Sequence, residues 1–306
     1  MCTRYGPPEV LQVREVATPA PRENEVRIRI RATTVTSSDC YVRGLTLSPA
    51  YRLMARIALG WSAPRQPVLG MIASGEVDAV GPDARAFDVG QPVFGFDRHR
   101  FGTHAECVCW PQDGLLATRP ANLTDEEAAS IPYGGLLALH FLRRAAVRAG
   151  QRVLIYGASG AVGTSAVQLA RHFGAEVTGV CSTANLELVR SLGATTVVDY
   201  TREGFSDRGE RYDLILDAVG KRKSAAGLRH CDRALASGGK RLSVDDGRPK
   251  LLAEDLALLG ELAAKGELRP VIDRCYPLED LAEAHRYVDE GHKRGNVVIA
   301  VARNTS

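Results

Sequence analysis

The sequence predicts an α/β chain of two parts: a compact, barrel-like all-β unit over residues 1–121, then a doubly wound parallel sheet from residue 122 onward. Three observations carry this expectation. Gly70, Gly75, Gly81-Pro82, Gly90, Gly95 and Gly102 break the first part into short β-runs. From Leu123 strands alternate with helical stretches, the pattern of parallel strands joined by helical crossovers. A β-branched run at Val153–Tyr156 enters a glycine-rich turn that opens at once into a helix. The length of 306 residues suits two domains of about 150 residues each.

Taken in order, Glu25–Arg31 (EVRIRIR) alternates charged and apolar residues, which fits a strand with one buried face. Further β-runs are expected at Ser74–Val80, Gln91–Gly95 and His104–Trp110. Thr124 and Glu127 stand three apart before an apolar stretch, the spacing of a capping box that opens a helix. Strands follow at Glu176–Cys181, Thr195–Tyr200, Tyr212–Val219 and Lys240–Val244. Helices are expected at Ala161–Phe173, Leu186–Leu192, Ser224–Ala236 and Leu251–Lys265. A strand, a helix at Leu278–Glu290 and a last strand at Asn296–Val301 close the chain.

Composition excludes several classes. The net charge is only +3 and no run of Lys or Arg forms a basic arm, which argues against nucleic acid. No apolar run reaches the roughly 18 residues of a membrane span; the best stretch, Tyr51–Trp61, carries Arg52 and Arg56. Seven scattered cysteines follow an N-terminus with no signal-peptide pattern, so reduced thiols in a cytoplasmic protein are expected. Cys107 and Cys109 share one face of a strand, but two thiols do not make a metal site, and they read as small apolar residues.

The strongest chemical signal is Gly157-Ala158-Ser159-Gly160-Ala161-Val162-Gly163. In such a turn the first glycine permits the tight bend, the second lets backbone amides approach a diphosphate, and the third lets the helix pack close to the strand. The uncapped amides and partial positive charge of the helix start then bind the anion. The next strand ends Val180-Cys181-Ser182-Thr183, with no acid before Glu187 to hold the ribose of NAD. The Ser182 and Thr183 hydroxyls can instead donate to a 2′-phosphate, so NADPH is favoured over NADH; helix capping is the competing role for both.

Several segments together carry a wider likeness: Tyr5–Gln12 (YGPPEVLQ), Asp39-x-Tyr41-x-Arg43, Leu69–Met71, Gly150–Gly163 (GQRVLIYGASGAVG), Leu192–Ala194, Asp199-Tyr200 and Gly291–Val298 (GHKRGNVV). In this order the chain resembles the medium-chain dehydrogenase/reductase superfamily, and within it the zinc-free quinone oxidoreductases and related enone reductases. The resemblance implies a GroES-like β-barrel catalytic domain (1–121), a Rossmann domain (122–266) and a C-terminal return to the first domain (267–306), with the active site in the cleft. It implies hydride transfer from NADPH to a small hydrophobic quinone or α,β-unsaturated carbonyl. At the positions where zinc-dependent relatives hold their metal, this chain has Thr36, Met71 and Gly134-Gly135, none a good zinc ligand. Without such a Lewis acid a conjugated acceptor is the easier substrate, because charge after hydride arrival spreads over an enolate or hydroquinone.

The same resemblance implies roles for individual residues. Tyr41 lies in the substrate cleft as a proton or hydrogen-bond donor, with Thr36 as a second candidate. Arg43 and Asp39 brace their loop, Asp39 by holding the turn or pairing with an arginine. Tyr200, Val219 and Asn296 join Gly157, Ser159, Gly160, Ala161, Val162, Gly163, Ser182 and Thr183 as cofactor contacts. Leu45–Trp61 is expected as a flap or short helix whose apolar residues suit a hydrophobic acceptor.

Two departures qualify the pattern. The first strand usual before Tyr5 is almost absent, so the start reads as shortened. After Lys240–Val244 the chain passes through Asp245–Lys250 almost directly into the next helix, so one crossover unit is missing and a sheet of five strands is expected. That loss exposes a strand edge, weakens a possible homodimer and loosens the nicotinamide end of the site. Two alternatives remain open: an alcohol or aldehyde dehydrogenase of the same superfamily, and a nucleotide-binding sensor with little turnover.

Overall fold

The computed structural model describes residues 1–46, 49–229 and 231–301. The chain forms two compact units, one from Met1–Pro132 with the chain from Ile272 onward, the other Tyr133–Val271.

In the first unit the elements run β1 (Glu25–Val35), α1 (Ser37–Gly44), α2 (Pro49–Leu59), β2 (Ile72–Val80), β3 (Pro92–Phe96), β4 (Cys107–Pro111), β5 (Leu116–Thr118) and α3 (Asp125–Ala129). The second holds α4 (Pro132–Ala145), β6 (Arg152–Tyr156), α5 (Ala161–His172), β7 (Glu176–Cys181), α6 (Leu186–Ser191), β8 (Thr196–Asp199), β9 (Tyr212–Asp217), α7 (Lys221–Ser224), β10 (Leu235–Ser243) and α8 (Ala253–Ala264). The chain then returns to the first unit as β11 (Ile272–Pro277), α9 (Leu281–Glu290) and β12 (Asn296–Ala300).

β1 organises the first unit. It pairs antiparallel with β4 over Glu25–Arg29, with β2 over Val26–Ala32, and with β12 over Ala32–Val35. Two register shifts against β2 let it bend between these partners. The resulting sheet has seven strands, in the order β11-β12-β1-β2-β3-β5 with β4 on β1. The expected alternation holds: Val26, Ile28 and Ile30 are buried against Val77, Val93 and Trp110, while Arg27 and Arg29 point outward to Asp78. Each such burial contributes about 1.5–3 kcal/mol. Thr124 caps α3 with the reciprocal Glu127 bond that the spacing predicts.

The second unit is a parallel sheet of five strands, in the order β10-β9-β6-β7-β8, as expected. Its core packs Leu154, Val180, Val198, Tyr212 and Ile215. Among the described residues no sixth strand pairs with β10, whose Lys240 and Arg241 discourage pairing at that edge.

One expected element is corrected. A helix over Ser224–Ala236 does not form; α7 ends at Ser224, a 3₁₀ turn covers Cys231–Ala234, and β10 starts at Leu235. The cause is a long-range contact. Gly227 lies against the Tyr156 ring so closely that a Cβ there would stand 1.8 Å from the phenol oxygen. Ser224 Oγ meanwhile donates to Asp217 at the end of β9. Helix α2 lies within the expected flap segment, of which Leu47 and Ser48 fall outside the described residues.

Candidate functional site

The glycine turn sits where β6 enters α5. Gly157 N and Ala158 N both donate to Val180 O at 3.0 Å, which ties the turn to β7. Gly157 has φ +81, and a Cβ would come within 2.3 Å of Val219 Cγ2. Gly163 carries the close approach of helix to strand, since a Cβ would lie 2.1 Å from Gly157 O. Gly160 differs from both. Its backbone is extended (φ −80, ψ 177), and the nearest atom to a Cβ would be Gly157 O at 3.6 Å, an ordinary contact. No protein contact demands glycine there.

Gly160 is the N-cap of α5 and makes no side-chain cap. The amides of Ala161, Val162 and Gly163 therefore begin a helix with no carbonyl one turn below them. They sit at the positive end of a twelve-residue helix. An open Cβ position beside donating amides is the chemistry a diphosphate requires, so the residues present fit a dinucleotide.

The tip of β7 lies beside this turn. Asn185 Nδ2 donates to Ser159 Oγ at 3.3 Å and to Ser182 Oγ at 3.1 Å, joining the glycine turn to the strand end. Ser182 has no side-chain cap bond, and with Asn185 donating to its oxygen its own proton stays available. Thr183 donates its hydroxyl to Asp199 at the end of β8. Thr201 also bonds Asp199 through its amide and hydroxyl, and these bonds hold the Asp199 carboxyl below its usual range. Tyr200 is 53% exposed, its ring 6.4 Å from that of Tyr156.

Val219 is placed by Asp217. That buried carboxylate accepts from Val219 N, Gly220 N, Ser224 Oγ and Ser243 Oγ at 2.7–3.1 Å. The sequence points to neither Asn185 nor Asp217, and to Asp199 only as part of the Asp199-Tyr200 segment, with no role. Their roles come from contacts between strand ends, which local spacing does not encode.

In the first unit Thr36 is the N-cap of α1. Its hydroxyl donates to Asp39 Oδ2 at 2.6 Å, and Asp39 Oδ2 also accepts from Thr36 N at 2.8 Å. Asp39 Oδ1 accepts from Gly70 N at 3.1 Å. Asp39 thus holds its turn through a capping box, not through an arginine. Arg43 braces the loop instead, donating to Gly6 O at 3.1 Å and pairing with Asp289 at 2.5 Å. Tyr41 projects from α1 half-buried. Asn296 is buried in β12 and donates to Ser130 O at 3.0 Å.

Beneath α1 lies a buried cluster. Cys40 Sγ is 3.5 Å from His285 Nδ1, and the His285 and His104 rings meet edge to face at 5.5 Å. Burial lowers both histidines and pushes the Cys40 thiol well up.

Comparison with known proteins places this geometry. The pattern of the "Alcohol dehydrogenase GroES-like domain" matches residues 22–120, and that of "Zinc-binding dehydrogenase" matches 161–266 and again 247–299. The chain is 31% identical to the tomato (Solanum lycopersicum) 2-methylene-furan-3-one reductase, over 97% of this chain and 77% of that protein. The chain belongs to the medium-chain dehydrogenase/reductase superfamily, on its quinone oxidoreductase-like branch. It is 29% identical to the NADPH-dependent alkenal/one oxidoreductase of Arabidopsis thaliana, over 96% of this chain and 77% of that one. The quinone oxidoreductase of Coxiella burnetii superposes with a TM-score of 0.86 at 28% identity, covering 98% of this chain and 97% of that one. As a member of this superfamily the chain is an NAD(P)H-dependent oxidoreductase with a GroES-like domain and a Rossmann sheet.

Within that superfamily the metal positions do not suit zinc here. Thr36 has given its hydroxyl to Asp39, Met71 offers a buried thioether, and Gly134 and Gly135 offer no side chain. Among the described residues no three His, Cys, Asp or Glu side chains gather as a metal-holding group, and no helix is long and apolar enough to cross a membrane.

Proposed function

We propose that this chain is an NADPH-dependent reductase that moves hydride to a quinone or an α,β-unsaturated carbonyl without zinc. The observation that carries the reading is the Gly160 position, where the protein leaves open the space a diphosphate would occupy. The amides of Ala161, Val162 and Gly163 would hold that diphosphate, and Ser182 would donate to the 2′-phosphate. Tyr200 and Val219 would border the adenosine and the turn. Thr183, already bonded to Asp199, would keep the β7 and β8 tips together.

When bound, the nicotinamide would supply the hydride. The chain's own task is to place a donor at the acceptor oxygen, and Tyr41 is that donor in this reading. The Thr36–Asp39 box acts one step back by fixing the start of α1, which carries Tyr41. A conjugated acceptor suits a site whose donors are hydroxyls, since the developing charge is delocalised before it must be neutralised. The seven unpaired thiols fit the cytoplasm as the working compartment.

The test is titration of NADPH and NADH by calorimetry, followed by nucleotide consumption with a panel of quinones and enones. NADPH should bind more tightly and be consumed with a conjugated acceptor. Tyr41→Phe should lower kcat by about 10²-fold with nucleotide affinity unchanged. No heat and no melting shift with either nucleotide would overturn the proposal. Tight binding without consumption would assign the sensor role instead, which the five-stranded sheet favours.

A further inference from the structure

Helix α2 turns an apolar face outward. Leu53 is 52% exposed, Met54 67%, Ile57 61%, and Trp61 just past the helix end 64%. Leu53, Met54 and Ile57, spaced i, i+1 and i+4, lie on one side of the helix, and Trp61 follows it beyond Gly60. Ala58 is exposed on the same side, whereas Ala55, Arg56 and Leu59 are partly covered. The apolar surface left uncovered is on the order of 500 Å², near the top of what a single chain normally shows.

The segment that carries this face has charge of one sign. From Cys40 to Gly75 the sequence has Arg43, Arg52, Arg56 and Arg65 and no Asp or Glu. Arg43 is buried with Asp289, whereas Arg52 and Arg65 are exposed and Arg56 is partly covered. Arg56 stacks over Trp61 at 5.9 Å. Arg65 reaches back to Ile57 O at 3.0 Å and Ala58 O at 3.4 Å, closing the helix end. Tyr5 Oη donates to Gly60 O at 2.8 Å from the other side. The helix is thus held from below, and its apolar side is left facing water.

We propose that α2 is an interfacial anchor, laying Leu53, Met54, Ile57 and Trp61 into the headgroup zone of an anionic phospholipid bilayer. Arg52, Arg56 and Arg65 would meet lipid phosphates along the rim. Apolar residues flanked by arginine are the pattern of a helix that lies in the membrane plane, and eleven residues are too few to span. A second copy of the chain is a poorer partner. A two-fold contact would bring these arginines toward their own copies with no acid in the segment to offset them.

The experiment uses the full chain with vesicles of phosphatidylcholine alone or mixed with phosphatidylglycerol, read by sedimentation and tryptophan emission. Trp110 is 2% exposed, so a blue shift, and quenching by brominated acyl chains, report Trp61. Partition onto the mixed vesicles should be at least about tenfold stronger than onto the neutral ones, and fall with salt. Ile57→Glu should abolish both signals without moving the melting temperature. Met54→Glu should do the same and replaces it if that variant fails to fold. Arg52→Gln should weaken partition about fivefold. Equal binding to both vesicle types, or none to either, would overturn the proposal. So would a concentration-dependent dimer that Ile57→Glu breaks. Because vesicles alone supply the readout, failure here is separable from failure of the reductase reading.

Discussion

The three glycines of the β6–α5 turn should respond differently to alanine, because two answer to the protein and the third, in the proposed reading, to the nucleotide. Gly157→Ala forces a side chain to φ +81, with its Cβ 2.3 Å from the movable Val219 side chain. The backbone alone costs about 1–2 kcal/mol. Gly163→Ala places a Cβ 2.1 Å from Gly157 O and 2.7 Å from Ala158 Cα, both backbone atoms that cannot swing away. Overpacking of that kind costs about 1–3 kcal/mol or more. At Gly160 the backbone is already extended and the nearest contact is 3.6 Å. A small capping loss is offset by reduced freedom of the unfolded chain, so stability should change by less than about 1 kcal/mol. Its methyl nevertheless enters the space that the diphosphate would fill in the proposed reading. Losing one charge-assisted hydrogen bond of about 1.5–3 kcal/mol weakens binding about ten- to a hundredfold. Thermal melts and NADPH calorimetry on the three variants check this. A Gly160→Ala protein that binds like the parent refutes it, as does a loss of affinity that merely follows stability across the set.

Asp39→Asn should destabilise the first unit by about 2–3 kcal/mol in urea unfolding, because an amide nitrogen must face a donor that Asp39 now accepts. Acid should destabilise the protein through His104 and His285. Burial holds both neutral, against the pull of Asp39 on His104 and with the push of His104 and then Arg43 on His285. Below about pH 6.5 their unfolded forms take up protons that the folded forms refuse. Stability should therefore fall with pH by up to about 1.4 kcal/mol per unit for each histidine. Urea midpoints that stay level between neutral and mildly acid pH would contradict this. Ser182→Asp should move preference from NADPH toward NADH by about tenfold or more in Kd ratio, since a carboxylate there accepts from a ribose and repels a 2′-phosphate. Paired titrations measure the ratio.

Features with a local cause were legible in the sequence. The EVRIRIR alternation marks the buried face of β1, and the Thr124–Glu127 spacing marks the start of α3. Part of the glycine turn is legible for the same reason: Gly157 takes a positive φ, and Gly163 meets Gly157 O and Ala158 within the same turn. The helix expected over Ser224–Ala236 fails because Gly227 answers to Tyr156, some seventy residues away. The Thr36–Asp39 capping pair stands in the sequence, but the family resemblance points to position 36 as a vacated metal ligand and not as a helix start. β5 is three residues long, too short for periodicity to show. Asp199 and Asp217 lie at strand ends, where any acid reads as solvated until parallel pairing brings its partners beside it.

The shortened sheet raises a physical question: whether losing a crossover after β10 loosens the phosphate turn. The hydrogen bonds at that end argue that it does not. Ser243 N donates to Asp246 Oδ2 at 2.7 Å, so the chain turns tightly as it leaves β10. Asp245 accepts from Lys221 N at 2.8 Å, and Lys221 Nζ pairs with Asp246 at 2.5 Å, which fastens that turn to the start of α7. Ser243 Oγ donates to Asp217, the carboxylate that also holds the amides of Val219 and Gly220. Val219 in turn fills the space beside Gly157. The turn after β10, the end of β9 and the first glycine thus form one bonded series. A break anywhere along it, such as Asp217→Asn, should reach the phosphate turn through Val219. The five strands thus keep the support that the proposed diphosphate site would need.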